Sequence, residues 1–563
     1  MFAGPSTEIS KQTQQEKYLQ HGETHDDLVR RLASTLADNA VHEREIYKIF
    51  GAQKFLPAGR IQSAVGSKRD VTAINCYVSE NIEDSFEGIM RAATNAGRTM
   101  RMGGGIGYDF STLRPRGDLI KSLDSKSSGP ISFMEIFNSV CQTIRSAGHR
   151  RGAQMGVIRV DHPDIEEFIE TKTDLTRLTG FNVSVAITDG FMRAVKSDTT
   201  FDLQFDGKIY KTVFARDLWN KIMQTTWDYA EPGVIFIDRI NEYNNLWYCE
   251  EINTTNPCGE QPLPPFGACL LGSFNWTKYV DVNSKTFDYD QFACDIPLVV
   301  RAMDNVIDNT IYPLPEQERE EKSKRRMGLG PTGVANALEF MGLPYGSPEY
   351  IAEQSRIMEI LRDCAYSASV DLAIEKGPFE LFDAEKYCAS PFVKTLPQHL
   401  QDRIAKHGIR NSHLLSVAPT GTISLCADNV SSSIEPVFSL YYDRTIQGFD
   451  GATVERVYDY GYKFFDHKGI TADKVTTNQH VDVLAAAQRY VDSACSKTCN
   501  VGAEVTFDEF KEIYMRAYDS GAKGCTTFRA AGKRFGVLNA PVEEEPQGES
   551  CTFDPQTGKK TCE

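Results

Sequence analysis

From about residue 55 to residue 538 the chain alternates short β-branched runs with longer stretches whose apolar residues recur at helical spacing. VIRVDHPDIEEFIETK (157–172) is one such unit, a strand-like run leading into a helix that starts on acidic residues. Alternation of this kind over so many residues predicts an α/β architecture. HDDLVRRLASTLAD (25–38) carries apolar residues at helical spacing and opens the folded body, whereas residues 1–23 are polar and Gln-rich and read as a mobile arm. After Leu538 the chain turns to Pro, Gly and charge, so 539–563 reads as a flexible tail. The expected organisation is therefore an arm (1–23), one body (24–538) and a tail. No internal repeat is visible.

The net charge of −16 argues against a nucleic-acid surface, which needs an excess of Lys and Arg. No apolar run approaches the roughly 18 residues of a membrane span. The first twenty residues hold no apolar core of a signal peptide, so a soluble, cytoplasmic protein is expected. Fourteen cysteines in such a chain are structural, metal-binding or redox-active. Paired CxxC motifs are absent. The lone CxxxC of Cys495 and Cys499 lacks the second pair that a structural zinc requires, and no metal is expected.

TTNPCGEQPLPPFGACLLGSFNW (254–276) carries the most pointed chemistry. Cys258 lies two residues from Asn256 and two from Glu260, in a turn set by Pro257, Gly259 and Pro262. Glu260 suits a general base, and Asn256 suits a hydrogen-bonding partner for a carboxylate or a substrate hydroxyl. A thiolate nucleophile would want a neighbouring cation, and a carboxylate instead raises a thiol pKa. Hydrogen-atom chemistry needs no thiolate and stays open. Cys76, in AINCYVSE, and Cys269 then read as candidates for a separate dithiol pair. Cys551 and Cys562 sit in a tail with no packing reason to keep thiols, which adds to the redox reading.

Two loops suit close approach by a ligand or another segment. RMGGGIGYDF (101–110) gathers Gly103, Gly104, Gly105 and Gly107 but has no Gly-Lys-Ser/Thr of a P-loop. VAPTGTISL (417–425) follows a strand-like HLLSV and exposes amides and hydroxyls that fit a phosphate. GLGPTG (328–333) matches a dinucleotide fingerprint, but EREEKSKRRM precedes it where a hydrophobic strand should stand, so a helix-to-helix turn is expected.

Together these segments resemble the catalytic chain of ribonucleotide reductase. NCYVSENIEDS, GGGIGYDFSTLRPRG, RRGAQMGVIRVDHPDI, NPCGEQPLPPFGACLLGSFN, APTGTISLCADNVSSSIEP and GAKGCTTFR stand in the family's order and span about residues 50–535. The resemblance implies a ten-stranded α/β barrel with the key cysteine on a finger loop through its centre. By the same resemblance Cys258 becomes the thiyl radical that removes the ribose 3′-hydrogen. Glu260 takes the 3′-hydroxyl proton, Asn256 orients the pair, and Cys76 and Cys269 supply two reducing equivalents and end as a disulfide. Asn75, Gly104, Gly105, Pro419, Thr420, Gly421 and Thr422 would line the ribonucleotide. Asp84, Ser85, Arg114 and Lys121 would form an effector site for a dNTP or ATP at a homodimer interface, signalling through the loop near 148–154. Cys551 and Cys562 would carry electrons inward from thioredoxin or glutaredoxin.

The wording of NPCGEQPLPPFGACLLGS is most similar to the adenosylcobalamin-dependent class. The oxygen-dependent class, whose radical comes from a ferritin-like partner subunit, shows adjacent tyrosines where this chain has Thr526 and Thr527. Tyr441 and Tyr442 leave a tyrosine relay open as the alternative, while the zinc cysteines and glycyl-radical segment of the anaerobic class are missing. No room is expected before residue 50 for the family's ATP-binding regulatory cone.

Overall fold

The computed structural model describes residues 1–121, 123–146, 150–448, 451–529, 531–533, 551–553 and 560–562. Five parallel strands make the first half of its central sheet: β1 (Cys76–Val78), β2 (Gly105–Asp109), β3 (Gln154–Arg159), β4 (Phe181–Ile187) and β5 (Gly233–Phe236). The chain then enters a hairpin of β6 (Thr254–Thr255) and β7 (Pro262–Leu263). It continues into the second half with β8 (Ala268–Asn275) and β9 (Met327–Thr332), which are parallel. Parallel bridges carry the sheet onward from Leu329 to Leu415 and from Val417 to Cys495, the latter just ahead of β10 (Thr498–Val501). β10 pairs in parallel with β11 (Gly524–Arg529). Two antiparallel seams, β1 with β8 and β5 with β11, join the halves and close the ring. The α/β barrel of ten strands expected from the resemblance is what the chain forms.

Strands of this barrel are buried on both faces, as all eight residues of β8 and all six of β9 are. That is why they read as apolar runs rather than alternating ones. Among the described residues no helix is long and apolar enough to cross a membrane.

Two expectations are corrected. Residues 1–23 are not a free arm: they contain α1 (Glu8–Lys17), with Ile9, Ser10, Thr13 and Gln14 buried. Its polar residues anchor it, because Ser10 Oγ donates to the Leu425 carbonyl at 2.6 Å and Gln14 meets His25 Nδ1 at 2.9 Å. α2 (His25–Leu36) follows, started by a reciprocal cap between Thr24 and Asp27. GLGPTG is not a helix-to-helix turn either; its first five residues lie in β9, and the helix Val334–Phe340 follows. The charged residues before it end a helix at Pro315–Lys324 and then turn inward. Arg325 binds Asp304 at 2.8 Å, and Arg326 and Lys324 pair with buried Glu250. Their partners are distant in sequence, so the run looks solvent-facing on the page and is not.

Most of the tail expectation (539–563) lies outside the described residues. Within it, Cys551–Phe553 and Lys560–Cys562 pair antiparallel, with Cys551 and Cys562 as register partners.

Candidate active site

The β6–β7 hairpin threads the barrel between its two halves. Its outgoing limb lies against β2, where a Cβ on Gly107 would fall on the Thr255 carbonyl oxygen. Gly105 faces the Pro257 ring, which a Cβ would meet at 3.0 Å, and Asn182 Nδ2 on β4 donates to the Pro257 carbonyl at 2.9 Å. The glycine loop thus admits another chain segment. Gly104 backs onto the Tyr77 ring. The returning limb is held by the second half: Ser416 Oγ and the Ala494 amide both donate to the Glu260 carbonyl at 3.0 Å. Inside the turn, the Gln261 amide donates to Asn256 Oδ1 at 3.0 Å, and Gly259 takes φ +83, which its missing side chain permits.

This path puts Cys258 at an exposed tip and sinks its neighbours. Asn256 and Glu260 are buried, as are Cys76 and Cys269. Cys76 and Cys269 are register partners across the β1–β8 seam. Cys76 Sγ donates to Glu260 Oε1 at 3.6 Å and accepts from Asn256 Nδ2 at 3.0 Å. Burial pushes both wall thiols well above the usual thiol range, with the Glu260 carboxylate adding to the effect at Cys76. They stay protonated and so can each give up a hydrogen. Burial also raises the Glu260 carboxyl, against the opposing contacts of Asn256 and Cys76. A carboxyl moved toward neutrality is the better general base.

The substrate candidates lie on separate segments. Asn75 gives its carbonyl to the Gly105 amide at 2.9 Å, and its side-chain Oδ1 is buried without a partner. Pro419 and Thr420 precede a single helical turn, Gly421–Leu425, which takes in Gly421 and Thr422, with Thr420 in the left-handed region at φ +53. The Thr420 hydroxyl turns inward to Thr332 Oγ1 at 3.0 Å, and Gly421 borders open space. The effector candidates split. Arg114 Nε binds Asp84 Oδ2 at 2.7 Å, Ser85 Oγ caps the helix Phe86–Arg101, and Lys121 stands exposed on a separate hairpin. Of the loop near 148–154, residues 147–149 lie outside the described residues.

The family model "Ribonucleotide reductase, barrel domain" matches residues 74–460 and 451–528. The chain belongs to the ribonucleotide reductase family. A vitamin B12-dependent ribonucleoside-diphosphate reductase of Thermoplasma acidophilum is 34% identical over 510 residues, 84% of this chain and 63% of that protein. Another with the same description from Mycobacterium tuberculosis is 33% identical over 541 residues, 91% of this chain and 75% of that protein. A ribonucleoside-diphosphate reductase large chain of Cryptosporidium parvum is 27% identical over 72% of this chain and 56% of its own length. The chain spans just under two thirds of the Thermoplasma relative.

Sequence reasoning missed several reductase-site neighbours. Ser416 and Asn182 carried no motif, yet they fix the finger's backbone. Glu321 is fully buried with neither carboxylate oxygen hydrogen-bonded, and burial holds it well above the ordinary carboxyl range. The Cys495–Cys499 pair divides: Cys495 serves the barrel wall, and Cys499 shares a hydrogen bond with Cys525.

Proposed function

We propose that this chain reduces ribonucleotides to 2′-deoxyribonucleotides by thiyl-radical chemistry, with adenosylcobalamin as its radical initiator. The observation that carries the proposal is Cys76 in the barrel wall, the register partner of Cys269, hydrogen-bonded to both Asn256 and Glu260 on the finger, whose tip exposes Cys258. Cobalamin dependence is said of relatives from Thermoplasma and Mycobacterium, and this site is compatible with it. Cys258 is exposed, and a Cβ at Gly259 would meet nothing within 4 Å, so the hairpin tip is open to a bulky group. Thr526 and Thr527 stand where a tyrosine relay would begin, and Thr527 is buried against Tyr514.

Adenosylcobalamin, when bound, supplies the homolytic chemistry that makes Cys258 a thiyl radical. Cys258 then takes the 3′-hydrogen of the ribose while Glu260 accepts the 3′-hydroxyl proton. The 2′-hydroxyl leaves as water, with its proton from the Cys76 thiol. Cys76 and Cys269 give up two electrons and two protons in all and join as a disulfide. Cys258 returns the 3′-hydrogen and Glu260 the 3′-hydroxyl proton, so the sum is ribonucleotide plus dithiol to deoxyribonucleotide, water and disulfide. Asn256 orients Cys76 and the turn. Asn75, Gly104, Gly105 and Pro419–Thr422 line the nucleotide, and Asp84, Ser85, Arg114 and Lys121 take a dNTP or ATP effector in a homodimer. Cys551 and Cys562 reduce the wall disulfide by exchange and are recharged by thioredoxin or glutaredoxin. The setting is the cytoplasm.

The test is reduction of a ribonucleotide by the purified chain with a small dithiol, with and without adenosylcobalamin. Deoxyribonucleotide should appear only with the cofactor and with no second protein. Activity that instead requires a ferritin-like subunit would place the chain in the oxygen-dependent class.

A further inference from the structure

The N-terminal segment is bonded to the element that follows the proposed substrate loop. Pro419–Thr422 leads into the helix Gly421–Leu425, and a helix of five residues cannot hold itself. At its start the barrel holds it: Thr420 Oγ1 meets Thr332 Oγ1 at 3.0 Å and Ser424 Oγ at 2.9 Å, and accepts from the Ser433 amide at 2.8 Å. At its end the carbonyls need outside donors. Ser10 Oγ of α1 reaches the Leu425 carbonyl at 2.6 Å, and Gln53 Nε2 reaches that of Cys426 at 3.1 Å.

The chain then turns through Asp428 and Asn429, both left-handed at φ +59, a region that Asp and Asn enter more readily than other side chains. Asn429 is held by the body, donating its Nδ2 to the Tyr458 carbonyl at 2.9 Å and accepting at its own carbonyl from the Tyr460 amide at 3.2 Å. Asp428 is held by the N-terminal segment. The buried Asp428 carboxylate accepts from the Ser6 amide at 2.9 Å, the Ser6 hydroxyl at 3.0 Å and the Thr7 amide at 2.8 Å. Ile9 packs with Leu425 and Val457 beside these bonds. The segment is itself fastened to the body, since Phe2 donates its amide to Asp26 at 2.8 Å and lays its ring over Gly51. Charge-assisted bonds to a buried carboxylate are about twice as strong as neutral ones.

We propose that Ser6, Thr7 and Ser10, acting through Asp428 and the Leu425 carbonyl, are positioning residues that set the substrate loop Pro419–Thr422 for nucleotide binding. This rests on the reading above that the loop contacts the ribonucleotide. The loop is exposed at Gly421 and carries a strained Thr420, so freeing the far end of its helix lets it relax away from the binding geometry.

The experiment compares full-length wild type with Asp428→Ala, Asp428→Asn and Ser10→Ala. It measures KM and kcat for ribonucleotide reduction, equilibrium Kd for a ribonucleoside diphosphate, and melting temperature. One lost charge-assisted site corresponds to roughly a tenfold rise in KM and Kd for Asp428→Ala, with kcat within about twofold. Asp428→Asn keeps an acceptor oxygen and should recover most of the affinity. Ser10→Ala should weaken binding about threefold, and it removes one hydroxyl without threatening the fold. Unchanged KM and Kd in Asp428→Ala and Ser10→Ala, with or without a lower melting temperature, would overturn the inference. So would a fall in kcat alone. If Asp428→Ala fails to fold, Ser10→Ala decides by the same criterion. A wild type that binds the diphosphate without reducing it would defeat the reaction proposed above and leave the Kd comparison standing.

Discussion

The two halves of the barrel hold the finger by different physics. β1–β5 meet its outgoing limb mainly by close approach, with Gly107 and Gly105 leaving space that any side chain would fill. The second half meets the returning limb mainly by hydrogen bonds, two of them to the single carbonyl of Glu260. Even its own close-approach glycine differs. A Cβ at Gly328 would strike the Gln261 side-chain amide, whose atoms have no hydrogen-bond partner to lose, whereas a Cβ at Gly107 would strike backbone. Steric contacts against backbone tolerate no adjustment, while hydrogen bonds and side-chain contacts fail by degrees. The first half should therefore behave as a switch and the second as a dial.

The largest effect belongs to the residue both halves exist to present. Cys258→Ser should abolish deoxyribonucleotide formation while leaving melting temperature and nucleotide binding near wild type, because the swap is close to isosteric and an O–H bond is too strong to yield the radical. Measurable turnover in that variant, assayed by product chromatography, would remove the radical role. Gly107→Ala comes next. The finger must move bodily, so a loss of activity beyond about 100-fold is expected, as from a misplacement of about 1 Å in an active site. Gly328→Ala should cost nearer tenfold, since Gln261 can turn aside while Leu271 and Ser416 are crowded. Equal losses in the two variants, measured as kcat/KM, would break the distinction between the halves.

How much of this was legible beforehand follows the range of the interactions. Asn256, Cys258 and Glu260 could be picked out because their chemistry lies within five residues of a proline-set turn. Cys76 and Cys269 stood out only as candidates for a dithiol pair, and the ten-stranded barrel and their roles as reductants came through the resemblance. Nothing local marks residues so far apart as partners across an antiparallel seam. GLGPTG misled because a charged run stands before its strand, and that run is buried through Glu250, Asp304 and Asp308 from elsewhere in the chain. The N-terminal residues misled in the opposite way. Their polar, Gln-rich composition suggested freedom, but Ser6, Thr7 and Ser10 are bound by a carboxylate and a carbonyl more than 400 positions away. Apolar pattern reports burial of surface and is silent on polar anchoring.

The smallest expected effect sharpens the comparison at Glu260, where both kinds of hold meet. Its carboxyl lies with Cys76 on the first half, and its carbonyl is tied to Ser416 and Ala494 on the second. Burial raises the carboxyl above its ordinary range, so more protons must be removed from solution before it can accept one from substrate. The acid limb of kcat/KM should accordingly fall away at a pH above that of an ordinary carboxyl, about 4.3. Ser416→Ala removes one of two donors to the backbone carbonyl and leaves the carboxyl's burial alone. A single such bond contributes about 1 kcal/mol, so kcat/KM should drop roughly fivefold at every pH. The limb itself should stay where it is in wild type. A limb that moves with Ser416→Ala would mean that the second half also tunes the proton chemistry of Glu260, and the division between a half that excludes and a half that adjusts would not hold.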